Sequence, residues 1–150
     1  MSTPDEGHPM SREPHLPTRP PRRTLETEEF WDGCADGRLL LPRCDECGDT
    51  FWYPRLVCPF CASHSVRYVE SSGLGTVYSF TVVRRGPGPF REKAPYVVAM
   101  IRLDDGPIMM SNVVGTDPEA VEIDMPVRVL FERAGDDGSE AIPRFAPRDG

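Results

Sequence analysis

Four cysteines stand in two tight pairs, Cys44 with Cys47 and Cys58 with Cys61. Each pair encloses two residues, and ten residues separate the pairs. Such a pair can form a knuckle, a tight turn that aims two thiolates at one point. Gly48 directly after the first pair suits that turn, and Pro59 stiffens the second. Two knuckles together make a tetrahedron of sulfur, which zinc accepts readily and iron also takes. A closed set of four thiolates has no position left for a catalytic water. The expected ion is therefore a structural Zn2+, with iron second because rubredoxin-type sites use the same knuckles. A segment of roughly 35 residues buries too little core to fold unaided, and metal affinity can supply the missing stability. Thiols kept for metal point to a reducing compartment. The fifth cysteine, Cys34, has no basic neighbour to lower its pKa and reads as a buried thiol.

No second set of residues carries chemistry. Of the three histidines, His8 and His15 fall in a proline-rich N-terminal stretch and His64 in a polar turn. There is no GxSxG, no phosphate-binding Walker loop and no dinucleotide fingerprint. Asp104, Asp105, Asp136 and Asp137 sit in turn sequences, where a structural role suffices. No catalytic residue is expected. The net charge of −7 and a single lysine argue against nucleic acid as partner. Tyr78, Phe80 and Tyr96 could nonetheless stack on bases, which keeps a nucleic-acid-binding ribbon/OB protein as an alternative. The one basic cluster is the loop 84–95, where Arg84, Arg85, Arg91 and Lys93 surround Phe90 and three prolines. It could meet phosphates, such as those of coenzyme A, or a partner's acidic patch, or be a plain solvated loop.

These residues need elements to position them. Residues 1–23 are rich in proline and arginine, without period, and are expected to be a disordered tail. They lack the apolar core of a secretory signal, and no apolar run is long enough to span a bilayer. A cytoplasmic protein is expected. TLETEEFWDGCADG, 24–37, reads as a short helix with carboxylates at its start. It is too short to stand alone, so its Phe30/Trp31 face must dock on this chain, on a partner or on a ligand. RLLLPR, TFWYP and VRYVE read as strands of the ribbon, 38–70. GTVYSFTVV, YVVAMIRL, PIMMSNVV, PVRVLFER and EAIPRF read as five further strands. A DDG turn follows the second of them, and a single helical turn at TDPEA separates the third and fourth. That order belongs to an OB-fold, and closure protects the edges of so small a sheet. The expected fold is mainly β: a short N-terminal helix, a rubredoxin-like zinc ribbon, then a five-stranded OB-fold barrel over 71–147, with 148–150 as a tail.

The ordered series of Phe30-Trp31, CxxCG…CPxC, GTVYSFTVV and APYVVAMIRLDDGP resembles the acyl-CoA-associated zinc-ribbon/OB-fold family, a domain family of unknown function. The likeness runs over roughly residues 25–147. It includes Arg38-Leu39, Pro54-Arg55, Pro95-Tyr96, Met125-Pro126-Val127 and the closing Pro143, Phe145 and Pro147. The resemblance implies a non-catalytic accessory subunit that pairs with a thiolase-fold protein. The pair would thiolyse, condense or cleave CoA thioesters, in lipid or steroid metabolism. Phe30, Trp31, Arg84, Arg85, Phe90, Arg91 and Lys93 are then the candidate contacts to partner or ligand. A free-standing acyl-CoA binding protein is a further alternative. Two positions depart from the family's pattern. Ile108 stands where many relatives have Arg, and Asp124 where Gly is common, a change expected to affect only a turn.

Overall fold

The computed structural model describes the backbone at Met10–Ser11 and the whole of residues 14–149. The elements, in chain order, are β1 (Met10–Ser11), α1 (Glu28–Ala35), β2 (Leu40–Cys44), β3 (Val66–Glu70), β4 (Leu74–Val83), β5 (Tyr96–Leu103), β6 (Ile108–Val113), β7 (Pro126–Ala134) and β8 (Glu140–Pro147). Short 3-10 turns lie at Gly88–Lys93 and Pro118–Ala120.

β4 to β8 close into a five-stranded barrel. β5 pairs antiparallel with β4 and β6, while β7 pairs antiparallel with β4 and β8. One parallel pairing, Val113 with Phe145, joins β6 to β8 and completes the circle. Alternation makes the core. Val97, Ala99, Ile101 and Leu103 of β5 face inward, as do Val127, Val129 and Phe131 of β7. The DDG turn forms, with Gly106 N–H donating to the Leu103 carbonyl at 2.9 Å. Asp117 caps its 3-10 turn by accepting from Glu119 N–H at 2.9 Å.

β2 and β3 form the two-stranded base of the ribbon. Leu39 and Leu41 reach from it into the barrel core, so ribbon and barrel share one interior. The knuckle end has a small core of its own, Cys44, Phe51 and Cys58 with Val66. TFWYP does not form the expected strand. Thr50 makes one bridge to Arg43, and residues 51–57 are irregular. A loop pinned at both ends by cysteine knuckles does not need a ladder to hold its shape.

The helix is shorter than 24–37 and docks on its own chain. Phe30 and Cys34 are fully buried in the barrel core. Gly33 lets the helix close on β2, since a Cβ there would stand 2.7 Å from Leu40. Phe30 therefore docks on its own chain, one of the three surfaces the sequence leaves open, and its burial takes it off the candidate contacts to a partner.

The tail reading also needs correction over its last residues. Residues 14–23 lie against the barrel as a strap. Leu16 is buried with Val114 and Leu130, and Arg23 reaches Glu140 and Asp32. Residues 1–9, 12 and 13, and Gly150 of the expected 148–150 tail, lie outside the described residues. Among those described, no helix is long and apolar enough to cross a membrane.

Candidate functional site

The four paired cysteines converge. Their sulfurs all lie within 4.8 Å of one another, with Cys44 to Cys61 at 3.5 Å and Cys47 to Cys58 at 3.7 Å. A tetrahedral ion with metal–sulfur bonds of about 2.3 Å wants sulfurs about 3.8 Å apart. The residues therefore fit such an ion. Each knuckle closes the same way. Gly48 N–H donates to the Cys44 carbonyl, and Ala62 N–H to the Cys58 carbonyl. Both closing residues have positive φ, +78° at Gly48 and +62° at Ala62. Backbone N–H groups of Cys47 and Glu46 point at the Cys44 sulfur and lower its pKa to about 7. Despite backbone N–H contacts of their own, desolvation and the neighbouring thiols push Cys47 up to about 12 and Cys61 upward, so one thiolate forms readily and these two need the ion's charge. Cys44 and Cys58 are buried; Cys47 and Cys61 are exposed. Cys34 takes no part, and burial pushes its thiol well up.

Beside this centre lies an apolar groove of about 490 Å³ between helix, ribbon and barrel. Trp31 of α1 and Trp52 and Tyr53 of the ribbon form one wall. Phe30 meets Trp31 and Trp52 edge to face, with ring centres 4.8 and 4.9 Å apart. Phe90 and Tyr96 form the opposite wall, 5.2 Å apart. The floor is Val98, Met109 and Met110 with Ile142 and Pro143 of β8. The groove opens where β6 and β8 part. Pro143 accepts the Ser111 hydroxyl across the gap at 3.0 Å, and its nitrogen has no hydrogen to offer a neighbouring strand. Sequence reasoning placed Phe30, Trp31 and Phe90 as candidate contacts, and all three line this one groove. It missed Trp52, Tyr53 and Tyr96 as its walls. Their aromatic character was visible, but their convergence depends on how the ribbon folds back on the barrel.

The basic residues divide. Arg84 pairs with Glu119 at 2.7 Å. Arg85, Arg91 and Lys93 are exposed and make no ion pair among the described residues. The three aromatics that could stack bases do not form a shared platform. Arg102 covers the Tyr78 ring at 4.5 Å, Phe80 packs on the core, and Tyr96 turns into the groove.

Behind the groove is a buried ion pair that sequence reasoning did not find. Glu132 on β7 and Arg144 on β8 contact each other, fully or nearly fully buried. Arg144 also binds the Leu16 and Pro17 carbonyls and the Thr18 hydroxyl, while its Nε donates to Asn112 at the groove floor, 3.2 Å away. His15 donates its backbone N–H to Glu132 at 2.9 Å. Burial opposes the Glu132 charge, but that N–H and the Arg144 guanidinium more than offset it and hold the carboxyl below its usual range.

Comparison with known proteins gives this arrangement a family. Residues 31–67 match the ChsH2 rubredoxin-like zinc ribbon domain, and residues 68–132 match the ChsH2 C-terminal OB-fold domain. A DUF35 domain-containing scaffold protein of Methanocaldococcus jannaschii is 36% identical over 105 residues, 69% of this chain and 74% of that protein. The chain belongs to the DUF35 family. Another relative is a probable enoyl-CoA hydratase alpha subunit of Thermomonospora curvata. It is 36% identical over 85% of this chain, which spans only 40% of that longer protein. Among solved structures, a chain of the Ltp2–ChsH2(DUF35) aldolase superposes with a TM-score of 0.76 and 33% identity, over 85% of this chain and 98% of that one.

Proposed function

We propose that this DUF35 protein is a non-catalytic accessory subunit of a thiolase-fold enzyme acting on CoA thioesters, with a structural Zn2+ in its ribbon, working in the cytoplasm. The carrying observation is the likeness over 98% of a chain belonging to the Ltp2–ChsH2(DUF35) aldolase. Two features of the molecule support it. Its metal set is closed, and the hydroxyls that meet carboxylates are tied into the fold: buried Ser71 also receives the Gly73 N–H beside Asp105, and Thr18 is held by Arg144 beside Glu132. It also carries an apolar face without a visible purpose in a lone chain. Tyr53, Leu56 and Phe60 of the ribbon are 44%, 49% and 66% exposed; Tyr53 and Leu56 line one shallow cavity, and Phe60 lines the next with Ile108, the two sharing Arg55 and Pro59. Exposed aromatic and aliphatic side chains grouped this way mark interfaces. The partner covers this ribbon face and so lies at the mouth of the groove. Ile108 belongs to this contact face.

The test is purification of the tagged chain from its own host, with mass spectrometry of what accompanies it. A thiolase-fold protein in comparable amount is expected. Leu56→Asp with Phe60→Asp should abolish its recovery without loss of bound metal. Recovery of nucleic acid instead, or of the chain alone under gentle conditions, would sink the reading.

A further inference from the structure

We propose that the groove between helix, ribbon and barrel receives the apolar acyl portion of the thioester, with the anionic part of the same molecule lying toward Arg91 and Lys93. This rests on the CoA-thioester reading above. The wall chemistry selects the ligand. Every polar side chain of the floor is already committed inside the chain. Asn112 donates to the Val97 carbonyl at 2.9 Å and accepts from Arg144, and the Ser111 hydroxyl is held by Pro143. What the groove offers is aromatic and thioether surface around a volume of about 490 Å³, in the size range of small-molecule sites. Apart from the Trp31 indole N–H and the Tyr53 and Tyr96 hydroxyls in the walls, a hydroxylated or charged acyl group would lose its water there without finding a partner.

Charge complementarity fixes the other end. Phe90 is in the groove wall, and Arg91 and Lys93 follow it in the same 3-10 turn, exposed and without ion pairs among the described residues. In a chain of net charge −7, Arg91 directly follows the wall residue Phe90, and Lys93 lines the adjoining cavity that shares Tyr96 with the groove. The occupant that matches both is an amphipathic anion with a bulky apolar body. One buried donor remains beside it, the Trp31 indole N–H, which has no partner among the described residues. A carbonyl oxygen of the acyl group would satisfy it.

The chain supplies its own reporter, because both of its tryptophans, Trp31 and Trp52, line the groove. The full chain, and separately its complex with the partner, is titrated with octanoyl-CoA, butanoyl-CoA and CoA while tryptophan emission is read. A buried methylene strengthens binding roughly three- to fourfold. Octanoyl-CoA should therefore bind at least tenfold more tightly than butanoyl-CoA, and shift the emission. Phe90→Ser should erase that preference. So should Met110→Glu, at an exposed position whose change spares the core. Equal affinities for the two thioesters, or for octanoyl-CoA and CoA, overturn the proposal, as does silence of the tryptophans in both chain and complex. Recovery of a partner without acyl-length dependence removes the groove assignment alone. Acyl-length dependence without a partner removes the accessory-subunit reading alone.

Discussion

At the scale of single residues, the buried pair Glu132–Arg144 carries more consequence than any exposed charge. Its members satisfy each other and receive the strap. Glu132→Gln leaves a buried guanidinium without its counter-charge and should cost about 3–5 kcal/mol in denaturant unfolding. Glu132→Gln with Arg144→Met removes both charges and should recover much of that loss. The sign of the pH dependence follows from the lowered Glu132 pKa. Its stabilisation is complete above the unfolded value of about 4.3 and is lost as pH falls through the folded value. The wild type should therefore lose stability below about pH 4 more steeply than the double variant, as thermal melts would show. A second prediction concerns backbone strain. Asp124 has φ of +66°, a backbone conformation that Gly adopts without strain and Asp does not. Asp124→Gly should stabilise by about 0.5–1 kcal/mol, read as a higher melting temperature. No change there would mean that side-chain contacts offset the strain.

At the scale of elements, the strap formed by residues 14–18 connects to the groove through two routes. Leu16 packs with Phe90 and Tyr96, and Arg144 links Thr18 to Asn112. Leu16→Ala should cost about 2–3 kcal/mol. Hydrogen exchange should rise chiefly in residues 88–98, the groove wall that Leu16 supports, and not in β7. Uniform exchange across the barrel would show the strap to be a general stabiliser. The ribbon loop is the second such element. Residues 51–57 have no ladder, yet they place Trp52 against Phe30. Their shape comes from the knuckles on either side.

At the scale of the whole molecule, one interior spans helix, ribbon base and barrel, while the knuckle end has a separate small core. Metal loss should divide the molecule along that line. With a chelator, residues 44–65 should lose exchange protection and Trp52 its fixed environment, because a metal supplies most of the stability of so small a core. The barrel should keep its β signature and a cooperative melt. Partner binding through Tyr53, Leu56 and Phe60 should be lost at the same time. A barrel that melts together with the ribbon on chelation would show that the shared interior, not the separate knuckle core, governs cooperativity.

Much of this was legible in the residues themselves. Local spacing determines local geometry, so two CxxC pairs specified the metal set, and alternation in 96–103 and 126–133 specified strands and their inward faces. Turn residues such as Asp104-Asp105-Gly106 and Asp117-Pro118 act within a few residues of themselves and were equally readable. The strap was misread because proline-rich composition reports low intrinsic structure. It says nothing of a buried arginine on β8 that binds three of the strap's polar groups. The Phe30/Trp31 face stays open between this chain, a partner and a ligand, because a two-turn helix has no way to state which surface it meets. The groove is the clearest tertiary product. Its walls come from positions 31, 52, 53, 90 and 96, which no local rule relates. Only the packing of ribbon and helix on the barrel, together with the parting of β6 from β8 at Pro143, brings them to one place.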